Sequence, residues 1–353
     1  MNPSFTKNLL CWNQDFNTRA MPWKGEKDPY KIWISEIILQ QTRVEQGLKY
    51  YEKFIAAFPT VCSLAHAPEQ EVFKLWEGLG YYSRCKNLLT SARIVCDELN
   101  GVFPSAHESI LALKGIGSYT AAAIASFAYK LPYAVVDGNV IRVLSRYFGL
   151  SEPVDTTDGK KTYTRLAEEL LDRQHPDLYN QAIMDFGAVV CKPQQPACTR
   201  CPQRSDCEAY RQGRVHQLPL KKKEVQKRSR WLYYFVVSYN GEVYIKKRTG
   251  RDVWENLYEF VLLEVDTPFF IDDQAAVQQT LYSLLGTEDF TISSTSHEYR
   301  QQLTHQTITA KFVEVELQVP APSLNSYGQA HRSTLSQYPF PRLITRYLQN
   351  AVG

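Results

Sequence analysis

No apolar run in the 353 residues reaches the roughly 18–20 needed for a membrane-spanning helix. The first residues, MNPSFTKNLLCWNQDF, lack a continuous apolar stretch ahead of a small-residue cleavage site, so a signal peptide is not expected. A cytoplasmic protein is therefore expected. Charge of one sign is also scarce: the net charge is +3, too mild to announce a nucleic-acid partner by itself. There is no internal repeat and no low-complexity tract. Hydrophobic residues make up 44% and charged residues 22%, ordinary globular usage that excludes wholesale disorder. The length suggests two domains.

Strand-like alternation is scarce in the first 210 residues. The periodicity predicts helices instead: a run over Tyr30–Phe58 punctuated by Pro29 and Pro59, then Glu69–Leu75, Ser83–Leu99, Tyr119–Tyr129, Gly138–Tyr147 and Thr162–Leu171. Residues 211–230 hold eight basic residues and one acidic one, so the rest of the chain is net negative. This stretch reads as a solvated linker, with phosphate contact as the other use of its lysines and arginines. Beyond it, Trp231–Tyr239, Glu242–Lys247, Leu257–Val265 and Thr307–Val319 read as strands and Ala275–Leu285 as a helix. The expectation is a multidomain chain: an all-α domain over 1–210, a basic linker over 211–230, and an α+β domain over 231–350.

The eight cysteines do not suit a disulfide framework in a reducing compartment. Cys11, Cys62, Cys85 and Cys96 are scattered and are expected as buried apolar residues. Cys191, Cys198, Cys201 and Cys207 are clustered with no histidine among them. Four thiolates suit tetrahedral zinc or a [4Fe–4S] cluster, and the residues alone do not choose between them.

Leu113-Lys114-Gly115-Ile116-Gly117-Ser118-Tyr119-Thr120 precedes an alanine-rich apolar stretch. Two glycines two apart permit a tight turn, and the following helix N-terminus offers N–H groups to an anion. The pattern is that of a helix-hairpin-helix gripping a DNA phosphate; an ordinary helix–helix turn has the same spacing. Asp137 precedes Gly138, Asn139 and an amphipathic run. It is either a plain helix N-cap or a carboxylate facing a DNA sugar. Glu36 stands in the strongly apolar Trp33–Leu39 segment. On a solvated face it is ordinary; in an apolar pocket it stays protonated near neutrality, as a general acid requires.

Taken together these features resemble the helix-hairpin-helix DNA glycosylases with an iron–sulfur loop. The C-x6-C-x2-C-x5-C spacing is specific to the endonuclease III and MutY branches. Met21-Pro22-Trp23-Lys24, Ser35-Glu36 with Leu39-Gln40-Gln41-Thr42, Trp76–Arg84 and Val136–Val140 point to the MutY branch, the adenine DNA glycosylases. The match covers roughly residues 5–210; from about 230 the likeness is looser and is to the branch's Nudix-like domain.

The resemblance implies a monofunctional enzyme that removes adenine mispaired with 8-oxoguanine or guanine in double-stranded DNA. With one cysteine cluster and a modest net charge, a nucleoid-associated monomer is expected. It implies Glu36 as general acid and Asp137 as the carboxylate that stabilises the sugar cation, with Tyr119 and Asn139 orienting Asp137 and water. It implies an adenine pocket from Arg19, Met21, Trp23 and Asp185, where Met21 replaces a commoner leucine and Asp185 a glutamate. Gln41, Thr42, Gly80, Tyr81, Gly115, Gly117 and Ser118 are the implied DNA contacts, with Gln41 and Tyr81 as wedges; read alone, Tyr81 is a core aromatic. Leu303, Thr304 and His305 stand where the branch reads 8-oxoguanine, often with Phe-Ser-His. The four clustered cysteines are the implied ligands of a [4Fe–4S] cluster. Tyr119 replaces the lysine with which endonuclease III forms a Schiff base, so no lyase activity is expected. A REXXEE-type glutamate cluster is missing between Gly250 and Gly286, so pyrophosphatase activity is not expected. Two other readings remain at this point: an endonuclease III-type glycosylase/lyase, and a mismatch-binding protein without catalysis.

Overall fold

Asp28 and Pro29 start the helix on which the site is built. Asp28 accepts from Tyr30 N, and Pro29 occupies the first helical position, where a missing N–H costs nothing. In the computed structural model, which describes residues 3–222, 228–269, 271 and 273–351, this helix spans Pro29–Leu39 and is buried from Ile32 through Ile38. The single run expected over Tyr30–Phe58 is two helices. The chain turns at Gln40–Arg43, with Gln41 at φ +57°, and re-enters a helix at Val44–Ala57.

The Pro29–Leu39 helix packs against Ser118–Tyr129. Ala121, Ala122, Ala123 and Ala125 are buried at that helix's core, and such short side chains let two backbones approach closely. The helix Gly138–Phe148 is capped by Asp137 at one end and by left-handed Gly149 at the other. Two helices that the periodicity did not disclose, Pro3–Asp15 and Pro176–Val189, complete the core around it. Phe5, Leu9, Trp12, Val143, Leu144, Tyr179, Ile183 and Phe186 meet there. The expected Ser83–Leu99 helix is α-helical only over Tyr82–Arg93 and widens into a π turn over Ile94–Glu98.

The chain divides into two units, Met1–His66 with Asn87–Glu224, and Ala67–Lys86 with Val225–Gly353. This differs from the contiguous boundaries expected. Residues 67–86 belong with the C-terminal chain because their polar groups find partners there: Lys247 pairs with Glu69 at 2.6 Å, Lys86 with Glu255 at 2.6 Å, and Thr345 donates to Glu77. The basic stretch is not a free linker at its start. Val215 and Leu218 are buried with Ala209, Leu220 O accepts from Val154 N, and Lys222 N donates to Asp155. Lys223, Glu224 and Lys227 lie outside the described residues.

The C-terminal unit is a mixed sheet: β1 Arg228–Tyr239, β2 Glu242–Lys247, β3 Tyr258–Glu259, β4 Val261–Val265, β5 Phe290–Thr295, β6 Tyr299–Gln302, β7 Gln306–Leu317 and β8 Gly328–His331. The main path runs β3-β2-β1-β7-β5, with β1 and β7 parallel over Arg228↔Gln306 to Ser238↔Glu316 and the other pairs antiparallel. Both long central strands are β-branched and aromatic and buried on both faces for much of their length, as a covered sheet requires. The helix Gln274–Leu285 covers one face through Val277, Leu281 and Leu285.

The scattered cysteines depart from expectation. Cys85 is buried, but Cys11 is exposed, and Cys62 and Cys96 are joined as a disulfide because the helix Val61–Ala65 and the π turn bring them side by side.

Candidate active site

Glu36 faces a cavity of about 410 Å³ in the N-terminal unit, lined also by Tyr119, Asp137, Asn139, Arg19, Met21 and Trp23. Residues from four separate segments of the sequence thus meet at one place. Glu36 is 6% exposed, and the Tyr119 hydroxyl donates to its Oε2. Burial pushes the Glu36 carboxyl up to about 7; the Tyr119 hydrogen bond opposes this and the nearby Asp137 charge adds to it. The group is therefore substantially protonated near neutral pH.

Asp137 does serve as a helix N-cap: Oδ1 accepts from Val140 N at 2.7 Å. Oδ2 accepts from Asn139 Nδ2 at 2.6 Å. Burial raises the Asp137 carboxyl above its ordinary value, against the two donors, which favour the charged form. Capping and lining the cavity are compatible, because a cap side chain lies at the helix mouth.

Behind Asn139 stands Arg142, which motif reading did not single out. Its Nη2 donates to Asn139 Oδ1 and to Gly187 O, each at 2.8 Å, and its Nε donates to Cys191 O at 2.8 Å. Gly187 leaves room for this: a Cβ there would lie 2.7 Å from Asn139 Cβ. A continuous line of hydrogen bonds thus runs from Asp137 through Asn139 and Arg142 to the cysteine loop.

Asp185 is not among the residues lining the cavity. It is fully buried, and its oxygens take Arg19 Nη1 at 2.8 Å, Lys24 Nζ at 3.1 Å and Asn17 Nδ2 at 2.9 Å. It holds Arg19 and Lys24, which do line the cavity. Gln181 and Met184, from the same Pro176–Val189 helix, line it as well. Sequence reasoning missed them; the i, i+3 spacing of Leu178, Gln181 and Met184 was the available signal.

The Gly115–Ser118 turn has the geometry of an anion site. Gly115 sits at φ +81°, where a Cβ would also strike Asn87 Cβ at 2.5 Å, so no other residue fits without movement. Gly117 caps the helix Ser118–Tyr129 without a side chain and faces open space, which leaves the first-turn N–H groups accessible. Gln41 is exposed at its left-handed turn, and Thr42 lines the cavity.

In the other unit Tyr81 is 45% exposed, not a core aromatic. It follows Gly80 and is itself left-handed at φ +49°, a conformation that a bulky residue adopts only under constraint. The Arg84 guanidinium lies 5.1 Å from its ring, and its hydroxyl is 3.4 Å from Thr304 Oγ1. Leu303, Thr304 and His305 form the turn between β6 and β7, closed by Leu303 N donating to Gln306 O at 2.8 Å. Thr304 and His305 are exposed at its tip.

Cys191, Cys198, Cys201 and Cys207 line one small pocket with Arg146. The set fits a thiolate-ligated metal centre. All four donors are sulfur, backbone N–H groups point at Cys201 and Cys207, and Arg146 Nη1 donates to Cys191 Sγ at 3.4 Å. Arg146 is 3% exposed and also ties down the carbonyls of Lys192, Pro193 and Leu218.

The family described as HhH-GPD superfamily base excision DNA repair protein matches residues 34–172, and a NUDIX domain matches 233–350. Among similar proteins, the adenine DNA glycosylase of Buchnera aphidicola subsp. Baizongia pistaciae is 36% identical over 257 residues, 72% of this chain and 73% of that one. The adenine DNA glycosylase of Rattus norvegicus is 41% identical over 228 residues, 61% of this chain and 44% of that one. Among solved structures, a thermostable thymine-DNA glycosylase superposes with a TM-score of 0.54 at 33% identity, covering 59% of this chain and 95% of that one. A non-covalent endonuclease III–DNA complex superposes with a TM-score of 0.51 at 20% identity, over 59% of this chain and 94% of that one, a likeness of fold.

Proposed function

Because this chain belongs to the adenine DNA glycosylases of base excision repair, we propose that it hydrolyses the N-glycosidic bond of adenine opposite 8-oxoguanine or guanine in duplex DNA and leaves the abasic strand uncut. The observation that carries the reading is the pairing in one cavity of a carboxyl held near pKa 7 with a second carboxylate held by two donors. Two carboxyls whose environments separate their roles are the mark of acid and stabiliser.

Adenine is a poor leaving group as an anion. Glu36 protonates N7, with Tyr119 holding Oε2 so that the proton sits on the other oxygen. As the base departs, positive charge develops on the sugar, and Asp137 stabilises it. Water then adds its hydroxide to C1′ and its proton returns to the carboxyl pair. Asn139 keeps Asp137 in place throughout. The flipped adenine occupies the cavity, since the target bond is unreachable inside a duplex. Gln41 and Tyr81 fill the vacated stack, and the Gly115–Ser118 turn takes a phosphate. Tyr119 has no amine, so no Schiff base forms and no strand is cut.

Cys191, Cys198, Cys201 and Cys207 would hold a [4Fe–4S] cluster, which would supply a cross-link ordering the basic loop containing Lys192, Arg200 and Arg204. Leu303, Thr304 and His305 contact the opposing 8-oxoguanine. The C-terminal unit is a recognition module without pyrophosphatase activity. Asp252, Glu259 and Glu264 are engaged by Arg230 and Arg248, which supports this.

The deciding experiment is a labelled duplex with adenine opposite 8-oxoguanine, incubated with the purified protein and analysed with and without hot alkali. Strand scission only after alkali is expected. Scission without alkali overturns the monofunctional reading, and an intact strand in both lanes overturns the substrate.

A further inference from the structure

We propose that Cys62, His66, Cys96 and Asp97 form a second metal site, for Zn²⁺ or a cation of similar softness, when the Cys62–Cys96 disulfide is reduced. The site lies in the N-terminal unit and shares no residue with the cavity or the four-cysteine loop. His66, Cys96 and Asp97 present ligand atoms all within 4.8 Å of one another. Cys62 Sγ is bonded to Cys96 Sγ, so a fourth donor adjoins the third.

The local sequence builds this convergence from two pairs. His66 N donates to Cys62 O, so the two side chains stand one helical turn apart on one face. Cys96 and Asp97 are consecutive in the π turn Ile94–Glu98. The pairs meet where His66 Nε2 lies 3.1 Å from Asp97 Oδ1. Metal–ligand bonds of about 2.0–2.3 Å in a tetrahedron put neighbouring donors roughly 3.3–3.8 Å apart. The present spacing is within a side-chain rotation of that. His66 is 66% and Asp97 53% exposed, so a cation and a reductant both have access.

The chemistry balances with a dithiol reductant. Two electrons and two protons pass from the dithiol to the protein disulfide, leaving two protein thiols and an external disulfide. Binding of the cation then releases those two protons and leaves two thiolates, one imidazole and one carboxylate as ligands. The two segments stay cross-linked in either state, by sulfur when oxidised and by metal when reduced.

The test compares full-length wild type with Cys96→Ser, His66→Gln and Asp97→Asn after treatment with a dithiol, removal of the reductant without oxygen, and titration with Co²⁺. Differences between variants cancel any uptake by the four-cysteine loop. Wild type is expected to expose two more titratable thiols on reduction and to bind one more Co²⁺ than Cys96→Ser, with a thiolate-to-cobalt charge-transfer band. His66→Gln and Asp97→Asn leave base release unchanged and weaken that extra Co²⁺ by about tenfold or more. Zn²⁺ should displace the cobalt. Equal uptake by wild type and Cys96→Ser overturns the proposal. So does undiminished affinity in both His66→Gln and Asp97→Asn, or a disulfide that the dithiol does not open.

Discussion

A glutamate that ionises near pH 7 inside an apolar helix is costly to the fold and useful to the chemistry. The carboxyl of Glu36 is raised from 4.5 to about 7, and each unit is worth about 1.36 kcal/mol. The folded state holds its proton where the unfolded chain has lost it. The contribution to stability is therefore fully present below pH 4.5 and is lost as pH rises to about 7. Glu36→Gln should thus be more stable than wild type at pH 8, by roughly 3 kcal/mol, and equal to it near pH 4, as read by chemical unfolding. The same substitution removes the proposed general acid. Single-turnover adenine release should fall by about 10²–10⁴ while DNA binding persists. In wild type, release should slow about tenfold per pH unit above 7. A flat profile between pH 6 and 9 would sink the assignment.

Packing between elements decides where the second carboxylate points. Asp137 and Asn139 sit at the mouth of the Gly138–Phe148 helix, but Asn139 is aimed by Arg142 from within that helix and by Gly187 from the Pro176–Val189 helix. Gly187→Ala places a methyl where Asn139 already is. The expected result is a loss of about 1–3 kcal/mol in stability. Base release should fall with little change in DNA affinity, since the displaced Asn139 is the group that holds Asp137. Arg142→Gln removes the donor shared by Asn139, Gly187 and Cys191. Buried acceptors left unpaired should cost about 3–5 kcal/mol in unfolding experiments. Neither residue carries a motif signal, because Arg142 and Gly187 meet only in the fold, 45 positions apart in the sequence.

At the scale of the whole molecule, the proposed function gives the C-terminal unit selectivity and not chemistry. Thr304→Ala and His305→Ala should reduce the preference for 8-oxoguanine over guanine, measured as the ratio of single-turnover rates on the two duplexes. Adenine release opposite guanine should change little. A loss of rate on both duplexes alike would mean that the turn supports the fold instead. Tyr81 clusters with this unit although its segment reads, by sequence position, as part of the helical domain. Chain order does not disclose that grouping, because ion pairs such as Lys247–Glu69 join positions 178 apart.

Much of this protein is local chemistry and so was legible in the residues alone. Cysteine spacing, two glycines before an alanine-rich helix, a carboxylate ahead of a helix and the change from helical to alternating periodicity are each written within a few residues. The family resemblance rests on the same short segments. What only the tertiary structure decided is which groups share a solvent-poor cavity and which are used up behind it. Asp185, an adenine-pocket candidate from the resemblance, spends its oxygens on Arg19, Lys24 and Asn17, while Gln181 reaches the cavity. Cys62 and Cys96, read as separate buried residues, are brought into one bond. Burial and pairing depend on contacts between distant parts of the chain, so no window of sequence holds them; local pattern sets the elements, and packing sets their electrostatics.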